Sequence, residues 1–439
     1  MKSEFKSIEK FSWRYNFLKG YVDFFFRFFY KIRYHGKENV DLKKTLIFAP
    51  NHQNSLMDAL AVLASFKWQP IFVARSDIFK KKKIIKILTL FKILPVYRIR
   101  DGIGEVQKNN AVFQKTIDIF KNRNGFCILP EGDHGVGKKL RALKKGIARI
   151  GLQAAFDSGE NLPIEIQPVG LNYQHHHKRG SYLFIHFGKP FSLEVFRKAY
   201  QENPAKSYTL LLKKLRQEMI PLILHIDDDV NYKTIDIITE IAGGIQRSKG
   251  LKEKNVFDFQ KQLIDVCQHK IKESEENREV LEQTALESER LINSQKVLLY
   301  EAGFMRESPL KNFGRYLLLI ITAPLFVYGF LNTFLPRLLI RFIGGKLKDP
   351  QFISSSHFVL TIFLYPLFFL VQSFAVGLIT GNWHWALLYF ISLPFVVFIK
   401  DLWRDSFGKA TSISKIRRVA NPLKELFRQQ GEILGMQIY

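Results

Sequence analysis

The chain has 439 residues, enough for two or three domains. Its 66 Lys and Arg residues against 40 Asp and Glu residues give a formal net charge of +26, which favours a membrane surface, a phosphate-bearing substrate or nucleic acid as partner. The 40 phenylalanines and the long apolar runs that accompany this charge argue against nucleic acid. Two cysteines, Cys127 and Cys267, are too few for a disulfide framework and indicate a reducing compartment.

An aromatic and basic segment covers residues 11–34 and predicts a helix rich in Phe, Tyr and Trp. Asp23 and Arg27 argue against a membrane-spanning helix, whereas aromatic residues mixed with basic ones suit the bilayer interface. We therefore predict an interfacial helix, and a helix docked on the soluble core is the alternative.

A histidine and an aspartate lie where a predicted strand is followed by a predicted helix. Residues 45–50 form an apolar run typical of a buried strand, and the apolar spacing in residues 55–66 predicts a helix. A neutral imidazole oriented by a carboxylate can act as a general base near neutral pH, which makes His52 and Asp58 a candidate pair. A hydrogen-bonded histidine at a capped helix start is the structural alternative. Since six positions turn a regular helix by about 600°, we expect His52 in the turn before the helix, or a distorted first turn.

Strands and helices continue to alternate beyond this pair. Between Lys80 and Arg100 there are eight basic residues and no acidic one, which favours attraction to anionic lipid head groups. Arg98 and Arg100 follow a predicted strand, and a planar guanidinium binds phosphate in bidentate geometry. Arg100 can equally pair with Asp101. The remaining elements predicted here are strands over 70–74, 93–97, 126–129, 163–171 and 182–187 and helices over 109–122 and 147–155.

Two further features of this part concern turns. Glu131 and Gly132 follow a predicted strand, where the carboxylate can cap a helix or form an ion pair and the glycine permits close approach of a ligand to the backbone. His175, His176 and His177 are adjacent, but adjacent histidines in a hairpin turn do not converge on one ion and no Cys or acidic ligand accompanies them. We therefore predict a solvated histidine loop and no metal site.

Four blocks of this region, taken in order, resemble the glycerolipid acyltransferases, a family that includes lysophosphatidate and glycerol-3-phosphate acyltransferases. The family pattern is NHxxxxD, an apolar block with an arginine, FPEG, and a Pro-rich strand. The corresponding segments here are Ala49–Asp58, Leu94–Arg98, Ile128–Gly132 and Pro163–Val169. The resemblance covers roughly residues 35–200 and implies an α/β fold, a mixed sheet flanked by helices as in glycerol-3-phosphate acyltransferase.

Two departures from the family pattern bear on the site. His52 and Asp58 are separated by five residues where the family usually has four, a spacing that resembles the glycerol-3-phosphate/dihydroxyacetone-phosphate acyltransferase branch known from yeasts. Asp133 and His134 stand where the family often has threonine and arginine. The role of the missing arginine must therefore fall to other cations.

By resemblance, we expect a transfer of a fatty acyl group from an acyl-CoA or acyl-carrier-protein thioester to the hydroxyl of glycerol 3-phosphate in phospholipid biosynthesis. No metal and no bound cofactor are expected, and the partners are membrane lipids, the thioester donor and the phosphorylated acceptor. Seven residues form the expected site: His52 and Asp58 as the catalytic pair, and Arg98, Glu131, Gly132, Lys144 and Lys145 at the acceptor. A lysophospholipid (1-acylglycerol-3-phosphate) acceptor is one alternative. A non-catalytic membrane lipid-binding protein with a degenerate acyltransferase domain is another.

The rest of the chain predicts helices and membrane segments. Residues 316–335, 358–380 and 383–399 are uncharged and contain one proline each. We expect the last two to form a spanning hairpin and the first to be re-entrant or interfacial, bent at Pro324, because all basic segments then lie on the cytoplasmic face together with the catalytic domain. The predicted parts are an interfacial helix over 1–34, a catalytic domain over 35–204, a helical accessory region over 205–310, a membrane region with two or three hydrophobic segments over 311–405, and a basic cytoplasmic tail over 406–439.

Overall fold

The computed structural model of the chain describes residues 8–79, 81–96, 109–133, 135, 137–159, 162–346 and 353–439, with backbone alone for 109–111. The chain divides into two compact units. The first comprises Met1–Ile223 and Asp349–Ser355, and the second comprises Leu224–Lys348 and Ser356–Tyr439. We call them the sheet unit and the helical unit.

The sheet unit is built on one mixed sheet, in the order β1-β7-β6-β2-β5-β3-β4, with β8 paired to β6. Strand β7 is antiparallel to β6 and parallel to β1, and β8 is also antiparallel to β6, whereas the neighbours from β6 to β4 are all parallel. The strands are β1 (Lys31–His35), β2 (Thr45–Pro50), β3 (Ile71–Arg75), β4 (Ile93–Val96), β5 (Phe126–Cys127), β6 (Ile164–Tyr173), β7 (Tyr182–Phe187) and β8 (Phe191–Ser192). The predicted α/β fold with a mixed sheet is confirmed.

Strand β2 lies in the middle of the sheet, and all six of its residues are buried. An unbroken apolar run is what a strand covered on both faces requires. Because β2, β5 and β6 are parallel, the chain leaves all three at the same edge of the sheet. In open α/β sheets ligands bind at this carboxyl edge.

Helices flank this sheet: α1 (Trp13–Phe29), α2 (Leu56–Leu63), α3 (Lys82–Leu90), α4 (Asn109–Lys121), α5 (Gly146–Phe156), α6 (Arg197–Glu202) and α7 (Pro204–Met219). Helix α7 falls in the predicted accessory region, yet its buried side chains Leu211, Leu215 and Met219 belong to the same hydrophobic core as Ile47 of β2. Its apolar stripe therefore completes the sheet unit.

Helix α1 is shorter than predicted, because residues 31–35 form β1 beside β7 instead of continuing the helix. One face of α1 packs on the unit: Tyr15 and Phe26 are buried, and the Arg27 guanidinium donates to the Ala64 carbonyl at 2.8 Å. The opposite face leaves large apolar side chains exposed, namely Phe17, Phe24 and Phe28, and the residues just before and at the helix start do the same, namely Phe11 and Trp13. The helix is thus docked on the sheet unit and still presents an aromatic face.

The described part of the helical unit contains no strand, as predicted for the region after the sheet. Its helices are α8 (Tyr232–Ser248), α9 (Glu253–Glu273), α10 (Glu275–Ser294), α11 (Pro309–Asn332), α12 (Phe334–Gly344), α13 (Ile353–Thr380, whose first turn is grouped with the sheet unit), α14 (Trp383–Ile416) and α15 (Ala420–Leu434).

Three helical runs are long and apolar enough to cross a membrane, by length and composition: Pro309–Asn332, Ile353–Thr380 and Trp383–Leu434. Helix α11 runs through Pro324 without a break, and it is antiparallel to α14. The Asn312 amide donates to the Ala410 carbonyl at 3.2 Å, and the Trp403 indole donates to the Leu319 carbonyl at 2.9 Å. The predicted bend therefore does not interrupt this helix, and the predicted membrane topology stays a prediction.

Candidate active site

His52 lies in the turn between β2 and α2, at the carboxyl edge of the sheet. Helix α2 begins at Leu56, after Ser55, whose backbone has φ 47° and ψ −126°. The turn brings the His52 Nδ1 atom to 2.8 Å from Asp58 Oδ2, so the pair meets although it does not share a helical face. The expectation that His52 precedes the helix is confirmed.

Asp58 is fully buried, and hydrogen bonds reach both of its carboxylate oxygens. Besides His52 Nδ1, the backbone N–H groups of Gln53 and Asn54 donate to Oδ2, each at 2.7 Å. The Tyr173 hydroxyl donates to Oδ1 at 2.7 Å. These donors compensate for burying a charged carboxylate. Because an ionised carboxylate accepts only, His52 Nδ1 carries the proton in this bond and Nε2 bears the basic lone pair.

Tyr173, which the sequence did not point to, is the last residue of β6. Burial, and then the negative charge of Asp58, raises the pKa of its phenol well above the usual value. The hydroxyl therefore keeps its proton and serves as a donor to Asp58.

A second set of contacts holds the backbone of His52. Glu131 is buried, and its Oε1 accepts from the His52 backbone N–H at 2.6 Å. The other oxygen, Oε2, accepts from Arg141 Nε at 2.8 Å and from the Arg141 backbone N–H at 3.2 Å. Arg141 Nη2 in turn donates to the His52 carbonyl at 3.1 Å. Glu131 and Arg141 together bind both backbone polar groups of His52.

Arg141 is a cation beside the altered third block that the sequence analysis did not single out. Its guanidinium also donates to the carbonyl of Asp133, within that block. The signal available in the sequence was slight, because Arg141 is one of several basic residues in the run from 138 to 145. Nothing in that run distinguishes the member that folds back on Glu131.

The other predicted acceptor residues are Gly132, Lys144, Lys145 and Arg98. Gly132 has φ +73°, a left-handed conformation that favours glycine, and a Cβ there would lie 3.0 Å from Lys144 Cγ. The Lys144 side chain thus packs directly over the Glu131 turn, and its backbone N–H donates to the Pro130 carbonyl at 2.7 Å. Lys145 is exposed just before α5. Arg98 lies outside the described residues, as do Arg100 and His134.

The predicted solvated histidine loop is wrong for His176. Its imidazole is 5.0 Å from the Tyr173 ring, centroid to centroid, and its Nε2 is 3.4 Å from Gln53 Oε1. Its carbonyl accepts from Asn54 Nδ2 at 3.1 Å. Burial lowers the pKa of His176 to about 4, so the ring is neutral at physiological pH. His176 therefore packs beside Tyr173 and Gln53, two residues that donate hydrogen bonds to Asp58.

Comparisons with known proteins concern the part of the chain that contains this site. Residues 31–172 match the family described as Acyltransferase. Glycerol-3-phosphate O-acyltransferase 2 of Saccharomyces cerevisiae is 25% identical over 131 residues, 30% of this chain and 17% of the yeast protein. Glycerol-3-phosphate O-acyltransferase 1 of the same yeast is 30% identical over 95 residues, 22% of this chain and 12% of the yeast protein. The matched parts thus span less than a fifth of either relative.

A solved structure was also found: the 1-acyl-sn-glycerophosphate (LPA) acyltransferase PlsC from Thermotoga maritima, with a TM-score of 0.31 and 18% identity, covering 46% of this chain and 80% of that chain. The matched residues include the His52–Asp58 pair at the carboxyl edge of the sheet. Residues 31–172 of this chain are an acyltransferase domain.

Proposed function

We propose that this chain is a membrane-bound O-acyltransferase that moves a fatty acyl group from an acyl thioester to a hydroxyl of glycerol 3-phosphate. The observation that carries the proposal is the contact between His52 and a fully buried, fully hydrogen-bonded Asp58 inside an acyltransferase domain. The names of the two yeast relatives support glycerol 3-phosphate as the acceptor.

In the proposed reaction, His52 Nε2 takes the proton of the acceptor hydroxyl while the hydroxyl oxygen bonds to the thioester carbonyl carbon. The resulting tetrahedral oxyanion collapses, the carbon–sulfur bond breaks, and the thiolate leaves with the proton from His52. Asp58 orients the imidazole and stabilises its charged form. The proposed chemistry requires neither a metal ion nor a bound cofactor.

Cations near the turn are suited to hold the acceptor phosphate. Lys144 packs over Gly132, next to the Glu131 carboxylate that binds the His52 backbone, so a phosphate on Lys144 lies near the proposed base. By resemblance, Arg98 and Lys145 complete the phosphate site. Fixing the acceptor by its phosphate places the hydroxyl in attack geometry, which can contribute several kcal/mol, about 7–11 in the best-oriented reactions.

Two helices of the sheet unit favour contact with a bilayer surface. Helix α1 presents the aromatic face described above, and α3 exposes Ile84, Ile87 and Leu90 beside several lysines. Apolar side chains insert at the acyl boundary while lysines attract anionic head groups. With the three candidate spanning helices, this supports a membrane protein, and we propose that the catalytic domain lies on the cytoplasmic face because the chain's basic excess favours that side.

The test is acyl transfer by the purified full-length protein in detergent, with one radiolabelled acyl-CoA and a panel of acceptors. The panel comprises glycerol 3-phosphate, dihydroxyacetone phosphate, 1-acylglycerol 3-phosphate and glycerol, and the His52→Ala variant provides the background. Preference for glycerol 3-phosphate over glycerol supports the proposal. Preference for 1-acylglycerol 3-phosphate would assign the lysophospholipid alternative. No product above the His52→Ala background, with either acyl-CoA or an acyl-carrier-protein donor, would favour a non-catalytic lipid-binding protein.

A further inference from the structure

Helix α12 of the helical unit combines an apolar surface with two arginines one turn apart, Arg337 and Arg341. Pro336, Ile340 and Gly344 form its buried stripe. The large apolar residues that remain exposed on this helix are Phe334, Leu335, Leu338, Leu339, Phe342 and Ile343. A short helix that exposes apolar side chains and arginines together suits the head-group level of a bilayer better than water.

A charged cluster on α14 lies against the start of this helix. Lys400 directly follows the apolar run 383–399, and its Nζ donates to the Thr333 hydroxyl at 3.0 Å, immediately before α12. Asp401 Oδ1 is 3.7 Å from Lys400 Nζ and 3.8 Å from Arg404 Nη2. Lys400 and Asp401 are buried, whereas Arg404 is about half exposed. The cluster therefore consists of a buried ion pair, Lys400 and Asp401, and one cation that remains accessible, Arg404.

Close helix packing brings these groups together. Gly329 of α11 faces α14, and a Cβ at this glycine would lie 2.8 Å from the Val396 carbonyl oxygen and 3.0 Å from Lys400 Cβ. The absence of a side chain at Gly329 thus lets α14 approach the end of α11, where α12 begins. Such contacts between small residues and a neighbouring backbone are typical of packed membrane helices.

Positive charge exceeds negative charge at this junction. The Arg337 guanidinium lies 4.2 Å from the centre of the Phe330 ring, and burial, together with the charges of Arg341 and Arg404, lowers its pKa. The Arg341 and Arg404 guanidinium groups are therefore near enough to repel that of Arg337, and Lys400 adds a fourth cation. Among the described residues of this junction the carboxylates are Asp401 and Asp405, the latter 3.8 Å from Arg404 Nη2, so the four cations exceed them by two.

We propose that Arg337, Arg341 and Arg404 bind the phosphate group of an anionic phospholipid whose acyl chains lie along the exposed apolar residues of α12. Guanidinium groups bind phosphate oxygens in bidentate geometry, and an anion between them relieves their mutual repulsion. Basic pockets between membrane helices recognise anionic head groups in this way. The apolar surface beside the arginines argues for a lipid, since a free phosphate ion gains nothing from it. This site consists of residues of the helical unit and takes no part in the proposed acyl transfer.

The experiment measures binding of phosphatidylglycerol to the full-length protein in detergent, by thermal unfolding at increasing lipid concentration and by native mass spectrometry. Phosphatidylcholine and inorganic phosphate at the same concentrations are the comparison ligands. The test variant is Arg337→Gln/Arg341→Gln. The control Lys311→Gln/Arg418→Gln removes two exposed charges from other helices of the same unit.

We expect phosphatidylglycerol to raise the unfolding temperature of the wild type and of the control more than phosphatidylcholine does. In the test variant, the apparent affinity for phosphatidylglycerol falls about tenfold or more, the size of one lost charged hydrogen bond. The single variant Arg404→Gln, at an exposed position, should show the same loss if the double variant does not fold. An unchanged affinity in both variants, an equal response to phosphatidylcholine, or an equal response to inorganic phosphate would overturn the proposal.

Discussion

Replacing Tyr173 with phenylalanine removes one hydroxyl from the site and leaves the ring in place. Among the described residues, this hydroxyl is the donor that reaches Asp58 Oδ1, whereas three donors reach Oδ2. Because Asp58 is fully buried, water cannot readily take over the lost hydrogen bond. The substitution therefore changes the charge distribution of the carboxylate that orients His52.

The expected size of the effect follows from that geometry. A hydrogen bond to a charged group contributes about 1.5–3 kcal/mol, and its loss from a buried acceptor lowers kcat by roughly ten- to a hundredfold if it weakens the orientation of His52. The KM values should change little, because the Tyr173 hydroxyl contacts Asp58 and not a substrate in this proposal.

The assay measures kcat and KM for wild type, Tyr173→Phe and the matched control Tyr200→Phe. Tyr200 donates to Asp157 Oδ2 at 2.6 Å, so the control also breaks a tyrosine–carboxylate bond, but one outside the candidate site. We expect the fall in kcat in Tyr173→Phe alone. A wild-type kcat in Tyr173→Phe, or an equal fall in Tyr200→Phe, would refute the reasoning that this hydrogen bond helps Asp58 to orient His52.

Three further predictions concern the residues around the pair. His52→Ala should abolish turnover with folding intact, and wild-type rates in this variant would contradict the proposed mechanism. Asp58→Asn should lower kcat strongly but leave residual activity. Arg98→Ala should raise the KM of the acceptor about ten- to a hundredfold and that of the donor little, since a charged contact to the phosphate is lost; equal effects on both substrates would make Arg98 structural. Arg141→Lys keeps the positive charge but loses the planar guanidinium that donates to both Glu131 and the His52 carbonyl. We expect kcat to fall about tenfold with KM unchanged. A wild-type kcat would show that Arg141 does not help to position His52.

The central sheet was predictable because its strands are short apolar runs. Strands β2 and β7 have the predicted bounds, 45–50 and 182–187. Strand β1 was missed because Lys31-Ile32-Arg33-Tyr34-His35 alternates polar and apolar residues after an aromatic helix, a pattern that fits the continuation of that helix as well as an edge strand. Its pairing with β7 decides between the two, and that contact spans about 150 residues of sequence, beyond any local pattern.

The site also combines contacts that local sequence predicts with contacts between residues distant in the sequence. His52 and Asp58 share one turn, so their contact was accessible to reasoning from spacing. Tyr173 and Arg141 reach the pair from 115 and 89 residues away in the sequence. Strand β6 continues two residues past its predicted end, and those two residues carry Tyr173 to Asp58. Polar residues at a strand end give no periodic signal, so the contact between Tyr173 and Asp58 could be recognised only in the folded structure.

The five-residue spacing between His52 and Asp58 has a consequence at Ser55. Ser55 lies between the two residues and adopts φ 47° and ψ −126°, a conformation that L residues rarely adopt. Such backbone strain costs about 1–3 kcal/mol, and the Ser55 side chain makes no capping hydrogen bond that would offset it.

Ser55→Gly should therefore stabilise the protein. Glycine relieves the strain but adds about 0.5–1 kcal/mol of chain entropy to the unfolded state, so the net gain is about 1 kcal/mol. The measurement is the thermal unfolding midpoint in detergent beside Ser55→Ala, which also loses the hydroxyl but keeps a Cβ in the strained conformation. We expect the midpoint of the glycine variant to exceed both wild type and the alanine variant, with kcat retained because the His52–Asp58 contact is unchanged. If glycine and alanine lower the midpoint equally, the serine hydroxyl stabilises the turn, and the longer spacing is held by side-chain hydrogen bonding rather than by an imposed backbone conformation.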